Sequence, residues 1–261
     1  MTKFEGWQGW DEYAPFYDWE NARTLGKRDV PFWRNIALQA GGRVLELGCG
    51  TGRISLPLGR AGVHLVGIDR SEPMLTRARA RTKRARLSRN IALIRGDIRF
   101  IPFPGPSFSM VMAPYGILQS LLRERDLKAT LSEVHRVLEP GGTFGIELVA
   151  DLPSWKEYRK RLSLKGWRGR RGGAHVTLVE TVRQDPARHL TIFDQEFTER
   201  RGGTTRVHRF ALTFRTLSVP QMVRRLEKSG FEIAALLGDY RGRAWDPRAD
   251  VWVILARTPT R

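Results

Sequence analysis

The sequence contains little cysteine and no long apolar run. Its one cysteine, Cys49, cannot form an intrachain disulfide, which excludes a small disulfide-stapled secreted scaffold. No apolar stretch approaches the ~18–20 residues that a membrane-spanning helix requires. The N-terminal segment has neither the basic start nor the apolar core of a secretory signal peptide. We therefore expect a cytoplasmic protein without a membrane span.

Metal ligands and negative charge are also scarce. The five histidines, at positions 64, 135, 175, 189 and 208, show no spacing typical of a metal site, so the sequence predicts none. The formal net charge is +18, and eight of the 45 basic residues are lysine. Such an excess of arginine can reflect GC-rich coding as readily as phosphate contacts. Nucleic-acid binding is therefore an alternative, whereas a solvated basic surface is the interpretation we adopt.

The chain does contain a regular alternation of apolar strands and helices up to about residue 150. Strands are predicted at residues 43–48, 64–69, 90–97, 108–114 and 143–149, and helices at 53–62, 72–87 and 127–142. A basic stretch at 151–172 is followed by three predicted antiparallel strands at 175–184, 189–200 and 204–218. A helix at 219–230 and a long hairpin of strands at 231–238 and 250–257 end the pattern. The alternation indicates an α/β sheet with right-handed crossovers.

The first predicted strand runs into three glycines, in VLELGCGTGR at residues 44–53. Arg53 stands where the dinucleotide fingerprint G-x-G-x-x-G has its third glycine, and no Gly-Lys-Ser/Thr of a phosphate loop follows. Glu46 would repel a phosphate, so the ligand is nucleotide-like, lacks phosphate and is cationic. This spacing, preceded by Glu46, resembles the first motif of the class I S-adenosylmethionine-dependent methyltransferases. The resemblance covers roughly residues 40–150 and 219–257.

The resemblance implies S-adenosylmethionine (SAM) as the cofactor, which carries a sulfonium, an ammonium and a carboxylate but no phosphate. It implies that Glu46 accepts from the ammonium, Asp69 from the ribose hydroxyls, and Asp97 with Ile98 contacts the adenine. The expected cofactor-binding residues are Tyr17, Glu46, Gly48, Cys49, Gly50, Gly52, Asp69, Arg70, Met74, Gly96, Asp97, Ile98 and Pro114. Met74 could equally be a core residue of its helix. We interpret Cys49 as a packing residue rather than a nucleophile.

A looser resemblance connects the chain to small-molecule N-methyltransferases that act on amino sugars and on glycine or sarcosine. It rests on YAPFYD at residues 13–18, on the spacing of the three later strands, and on the segment 212–231. It implies an α/β, Rossmann-like, seven-stranded mostly parallel sheet with a C-terminal antiparallel hairpin, plus an inserted antiparallel β-sheet after strand 5. The core would comprise 1–150 and 219–261, with an N-terminal aromatic cap. Residues 151–218 would form the inserted sheet, a substrate lid or an oligomer contact that could make a homodimer.

The chemistry of the acceptor is less constrained. Methyl transfer from a sulfonium is an in-line displacement that depends on proximity and orientation, and a neutral amine needs no strong base. Because neither a base nor a metal cluster is evident, we expect a small-molecule acceptor that reacts at an amine nitrogen. The catalytic residue is unknown; its candidates are Tyr17, Tyr115 and His175, and the substrate candidates are Tyr115, Trp155, Tyr240 and Arg241. Tyr13 and Tyr17 could shield the sulfonium or belong to a helix packed on the sheet.

Three alternatives stay open. The basic segment 156–171 could meet an anionic part of the substrate or be a solvated loop. The enzyme could instead methylate RNA or a protein that docks on the arginine-rich surface. A non-catalytic module that has kept its SAM pocket would show the same motifs.

Overall fold

The computed structural model describes residues 6–24, 26–149, 162–169 and 173–260. Within these ranges the α-helices are α1 (Trp10–Asn21), α2 (Val30–Ala40), α3 (Ser55–Arg60), α4 (Glu72–Arg84), α5 (Glu124–Val137) and α6 (Val219–Lys228). The strands of the first sheet are β1 (Val44–Leu47), β2 (Leu65–Asp69), β3 (Ile91–Arg95), β4 (Phe108–Ala113), β5 (Leu138–Leu148), β10 (Glu232–Leu237) and β11 (Trp252–Arg257). Those of the second sheet are β6 (Leu162–Arg168), β7 (Ala174–Asp185), β8 (Leu190–Arg201) and β9 (Thr204–Arg215). A short 3-10 helix covers Ile117–Ser120.

The first sheet has seven strands in the order β10-β11-β5-β4-β1-β2-β3. Strands β1 to β5 pair in parallel, while β11 runs antiparallel to both β5 and β10. The predicted Rossmann-like sheet and its C-terminal antiparallel hairpin are therefore confirmed. The sequence of the parallel strands is continuously apolar because helices cover both faces of the sheet.

Two separate clusters of buried side chains form the core on either side of this sheet. On one face, Leu131 of α5 and Met222 of α6 pack in one cluster with Phe144. On the other face, Trp33 of α2 and Leu58 of α3 pack in a second cluster. The sheet is thus clamped between helical layers, which holds the carboxyl ends of its parallel strands in fixed positions.

The second sheet is antiparallel, has the order β6-β7-β8-β9, and follows β5 in the chain as predicted. It packs against α1 through an aromatic cluster in which the rings of Phe16 and Phe197 stack at 4.4 Å between centroids. Three of its four strands match the predicted ones. That these residues form a separate lid or an oligomer contact stays a prediction.

Three local expectations were wrong. The sequence predicts no strand at 162–168, where β6 occurs; the side chains at 163–168 alternate between exposed and half-buried, so no buried apolar stripe marks it. The helix predicted to continue to residue 142 ends at Val137, because the backbone turns extended at Leu138 to begin β5. Helix α2 was not predicted either.

Candidate active site

A cavity of about 520 Å³ lies at the carboxyl ends of the parallel strands. Its wall combines the loops that follow β1, β2, β3 and β4 with the start of α1 and with Phe214 of β9. Most of the residues expected to bind the cofactor line it: Tyr17, Glu46, Gly48, Cys49, Gly50, Asp69, Arg70, Met74, Gly96, Asp97, Ile98 and Pro114. Tyr115, a substrate and catalytic candidate, lines it too. Open α/β sheets bind ligands at this edge, so the position agrees with the sequence expectation.

Four predicted residues lie away from the wall that the described residues form. Gly52 faces α3 and α4, and a Cβ there would stand 2.4 Å from Leu56 Cδ1. His175 packs against Trp167 on the second sheet. Tyr240 lies behind the wall beside Phe32, and Arg241 is exposed in the loop before β11. Trp155, and residues 156–161, 170 and 171 of the basic segment 156–171, lie outside the described residues.

The glycine loop after β1 is held in a conformation that other residues rarely adopt. Gly48, Gly50 and Gly52 have φ values of +64°, +54° and +78°, the left-handed region that favours glycine. A Cβ on Gly48 would come within 2.6 Å of Ile117 Cδ1, whereas a Cβ on Gly50 would meet no atom closer than 4.0 Å. The backbone at Gly50 is therefore open to the cavity, and a ligand can approach it closely.

Asp69, at the end of β2, is tied to the glycine loop. Its Oδ2 accepts from the backbone N–H of Gly50 at 2.7 Å, and its Oδ1 accepts from that of Ser71 at 2.8 Å. Burial raises the pKa of Asp69, while the N–H groups of Ser71 and Gly50 act in the opposite direction. Each oxygen keeps a further lone pair, so the carboxylate can accept from hydroxyl groups in the cavity.

Glu46 lies on β1 at the inner end of the cavity and is 2 % exposed. The Ser55 hydroxyl donates to its Oε2. Burial raises the pKa of Glu46 to about 8, against the opposing effects of Ser55 and the Arg53 guanidinium. A carboxyl group in this state gains an interaction when a cation arrives beside it.

Arg53 is a functional candidate that the sequence did not reveal, since we noted it only as a replacement for glycine. Its Nη1 and Nη2 donate to the two carboxylate oxygens of Asp29 at 2.7 Å each. The Arg53 side chain lines the cavity 5.5 Å from the centroid of the Tyr115 ring, and its Nε is buried with no hydrogen-bond partner. Asp29 precedes α2, 24 residues away in the chain, so no local pattern could have paired them.

The opposite end of the cavity carries paired rather than free charges. Asp97 accepts from Arg70 Nη1 at 3.0 Å and from Arg99 Nη2 at 2.6 Å. Partial burial opposes ionisation, but the hydrogen bonds and charges of Arg99 and then Arg70 hold the pKa of Asp97 below its usual value. The Arg70 guanidinium also lies 3.9 Å over the Trp7 ring. The flat Trp7 ring and the paired charges of Asp97 suit the binding of an uncharged heteroaromatic ring at this end of the cavity.

Tyr115 is fixed from behind by two side chains. Its φ is +56°, unusual for a residue other than glycine, and its backbone N–H donates to Glu147 Oε2 at 3.1 Å. The Tyr240 hydroxyl donates to the other oxygen of Glu147 at 2.5 Å. Tyr240 therefore reaches the site through Glu147 and the backbone of Tyr115, a role that its sequence position did not suggest.

The tyrosine hydroxyls and the cysteine thiol of the wall hold their own protons at neutral pH. Burial raises the pKa of Tyr17 to about 12, and burial likewise raises the pKa values of Tyr115 and Cys49 well above their ordinary ranges. These groups can orient a ligand and exclude water. They cannot act as phenolate or thiolate bases there.

The roof of the cavity is joined to the second sheet by a buried polar group. The Tyr13 hydroxyl donates to Glu20 Oε2, and Gln195 Nε2 donates to Glu20 Oε1 at 3.0 Å and to Glu180 Oε2 at 2.7 Å. Burial raises the pKa of Glu20 to about 7. Helix α1 and strands β7 and β8 are thus bonded to one another, which places α1 over the glycine loop.

The described residues were compared in turn with the requirements of a metal site and of a membrane span. No group of three or more His, Cys, Asp or Glu side chains among them is arranged to hold a metal ion. None of the helices in the described part of the chain combines the length and apolar character needed to cross a bilayer.

Comparison with known proteins identifies the domain that carries the cavity. Residues 44–142 match the family model described as "Methyltransferase domain". A demethylmenaquinone methyltransferase of Listeria welshimeri is 34% identical over 158 residues, which cover 56% of this chain and 64% of that protein. The chain spans between about a third and two thirds of the length of the curated relatives it matches.

Solved structures extend the likeness of fold over nearly the whole chain. The CcbJ methyltransferase from Streptomyces caelestis has a TM-score of 0.75 and 23% identity, covering 98% of this chain and 100% of that one. The glycopeptide N-methyltransferase MtfA, complexed with SAM, has a TM-score of 0.56 and 27% identity, covering 87% and 92% of the respective chains. Residues 44–142 therefore form a methyltransferase domain, and the chain shares the fold of S-adenosylmethionine-dependent methyltransferases.

Proposed function

We propose that this protein transfers the methyl group of SAM to an amine nitrogen of a small molecule. The observation that carries the proposal is the chemistry of the cavity wall. An open glycine loop, the buried carboxyl group of Glu46 and the carboxylate of Asp69 meet there, while the tyrosines beside them are protonated and cannot serve as strong bases.

The residues present fit SAM at each of its functional groups. Glu46 would accept from the ammonium and Asp69 from the ribose hydroxyls, as the family resemblance implies. Ile98 and the ring of Trp7 line the end of the cavity at which Asp97 is paired with Arg70 and Arg99, and the adenine would lie there. The buried Nε of Arg53 has no partner, so the wall also has a donor left for an anionic group.

The cofactor supplies a methyl group on a sulfonium, an electrophile that needs no activation by the protein. The protein must align the acceptor, exclude water and leave the nitrogen lone pair free. Tyr17 and Tyr115 would form the wall around the reacting groups, and their ring faces attract a cation. An amine acceptor agrees with the protonated state of both hydroxyls, because a neutral amine attacks without a base whereas a phenol or alcohol needs one.

Likeness to other proteins supports the small-molecule acceptor. MtfA is described as a glycopeptide N-methyltransferase, and its fold matches 87% of this chain. The relative from Listeria welshimeri is named for demethylmenaquinone. Both are names of other proteins, so the acceptor itself is open to experiment.

Calorimetric titration with S-adenosylhomocysteine (SAH), followed by titration with NADH, tests the cofactor assignment. We expect SAH to bind and NADH not to bind. Gly50→Arg, which fills the open face of the loop, and Asp69→Ala should each abolish or strongly weaken SAH binding. Gly105→Arg is the matched control, because a Cβ at Gly105 meets no atom within 4 Å and the residue is not in the cavity wall. Unchanged binding in both site variants would refute the assignment.

The acceptor is tested by incubating the protein with SAM and matched sets of amines, phenols and carbon acids, with SAH formation as the readout. We expect turnover with amines, and a rate that rises with pH as the free amine becomes available. Turnover confined to carbon or oxygen acceptors would contradict the amine assignment while leaving the methyltransferase intact.

A further inference from the structure

Asp29 and Arg53 form a buried ion pair beneath the cavity. The Arg53 side chain is 10 % exposed and that of Asp29 is 0 % exposed. Their two 2.7 Å hydrogen bonds join both oxygens of the carboxylate to both terminal nitrogens of the guanidinium. This end-on arrangement leaves the N–H of Nε without a hydrogen-bond partner, while the guanidinium also interacts with the Tyr17 hydroxyl.

The unused side of the guanidinium is incomplete as it stands. Nε is buried and has no hydrogen-bond partner, and a buried donor of a charged group without a partner is costly. Planar guanidinium groups bind a second carboxylate along this side, through Nε and one terminal nitrogen. Since Arg53 also belongs to the cavity wall, the missing acceptor is an anionic group of the ligand.

Glu46 lies close to Arg53 and has the opposite charge when ionised. The guanidinium is near enough to lower the pKa of Glu46, although burial outweighs it. An α-amino acid carries an ammonium and a carboxylate on one carbon atom. The Glu46 carboxylate can accept from such an ammonium, and the unpartnered Nε–H of Arg53 can donate to such a carboxylate.

We propose that Arg53 binds the carboxylate of the amino-acid end of the cofactor and that Asp29 is a positioning residue, which holds Arg53 in the orientation that binding requires. The inference rests on the proposed function, since it assumes SAM in this cavity. Helix α2 contributes no residue to the wall among those described. Through Asp29, which directly precedes it, this helix would take part in the recognition of the ligand.

The test compares two ligands that differ by one group. SAH carries the carboxylate, and S-adenosyl-3-thiopropylamine is the same molecule without it. Charge-assisted hydrogen bonds contribute about 1.5–3 kcal/mol, so the wild-type protein should bind SAH roughly 10–150-fold more tightly than the amine. In Arg53→Met and in Asp29→Asn this preference should fall to less than about 3-fold. Arg53→Lys, which keeps the charge without the fork, should give an intermediate ratio.

A purely structural ion pair would behave differently. Its loss would lower the melting temperature and weaken both ligands alike, leaving the ratio of their dissociation constants unchanged. Glu124→Gln is the matched control, because it removes ion pairs to Arg215 and Arg225 that lie outside the cavity wall, and its ratio should equal that of the wild type. Where Asp29→Asn fails to fold, as shown by its circular dichroism, Arg53→Met and Arg53→Lys decide the question for the carboxylate site.

Each result then has a distinct meaning. A wild-type protein that binds both ligands equally overturns the inference while the proposed function stands. A normal ratio in Asp29→Asn together with a lost ratio in Arg53→Met removes the positioning role and keeps the carboxylate site. A wild-type protein that binds neither ligand overturns the proposed function, and the inference with it.

Discussion

Glu46 should make cofactor binding depend on pH. Its carboxyl group is protonated in the free protein below a pKa of about 8, because burial disfavours the charged form. An ammonium group bound beside it stabilises the ionised form, so binding should drive the proton off. The affinity for SAH should therefore rise as the pH increases towards 8, and each binding event at neutral pH should release close to one proton.

The magnitude follows from the pKa. At pH 6 about 1% of the Glu46 side chains are ionised, and at pH 8 about half are. If only the ionised form binds the ammonium well, the affinity rises about 50-fold over this range, which corresponds to about 2 kcal/mol. Work above pH 8 would begin to titrate the ammonium of the ligand itself, so the range ends there.

Calorimetry measures both quantities. Titrations at pH 6, 7 and 8 give the slope, and titrations at pH 7 in two buffers with different ionisation enthalpies give the number of protons released. Glu46→Gln should bind with no such slope. Ser55→Ala removes the hydroxyl that donates to Glu46 Oε2 and favours its ionised form, so the rise in affinity should move to higher pH.

Two results would refute this reasoning. One is a wild-type affinity that is constant from pH 6 to pH 8 with no proton release. The other is a slope that persists in Glu46→Gln, which would assign the titrating group to another side chain.

Three further outcomes concern stability. Burial raises the pKa of Glu20 from 4.5 to about 7, so the folded state holds a proton that the unfolded state loses. The free energy of unfolding should therefore fall by up to about 3 kcal/mol as the pH rises from 4.5 to 7. Urea unfolding of Glu20→Gln should lack that fall, and an unchanged fall would contradict the assignment. Gly48→Ala places a Cβ 2.6 Å from Ile117 Cδ1 at a φ of +64°. This change should lower the free energy of unfolding by about 1–3 kcal/mol and weaken SAH binding. A variant with wild-type stability and affinity would show that the loop is not held as described. Hydrogen bonds from Arg225 above all hold the pKa of Glu124 at about 2, so this pair should stabilise the fold above pH 4.5 and the stabilisation should be lost towards pH 2. The loss should be less than about 1 kcal/mol because Glu124 is half exposed; a loss that exceeds that of Glu124→Gln by more than about 1 kcal/mol would contradict this limit.

The sequence predicts those parts of the site that local chemistry determines. Gly48, Gly50 and Asp69 follow directly from the strands that carry them, because a tight turn after a strand needs positive φ and the next strand ends beside it. The parallel α/β sheet follows in the same way from the alternation of strands and helices. Neighbours in the chain decide all these features.

The contacts that complete the site join residues far apart in the chain. Asp29 meets Arg53, and Glu147 meets both Tyr115 and Tyr240, only because packing of the layers brings them together. A buried charged residue is indistinguishable in sequence from the many exposed arginines of this chain. Strand β6 escaped prediction because its side chains at positions 163–168 alternate between exposed and half-buried, so no buried apolar stripe marks it.

A chain with a formal charge of +18 can still recognise a cation. Exposed charges are screened over about 8 Å at physiological salt, so the arginines of the distant surface contribute little inside the cavity. Two arginines of the wall are neutralised locally: Arg53 by Asp29, and Arg70 by Asp97. Glu46 accepts instead from the neutral Ser55 hydroxyl, so its carboxyl group can bind a positively charged group of the ligand. Local pairing in the cavity, rather than net charge, therefore decides which ligand this site selects.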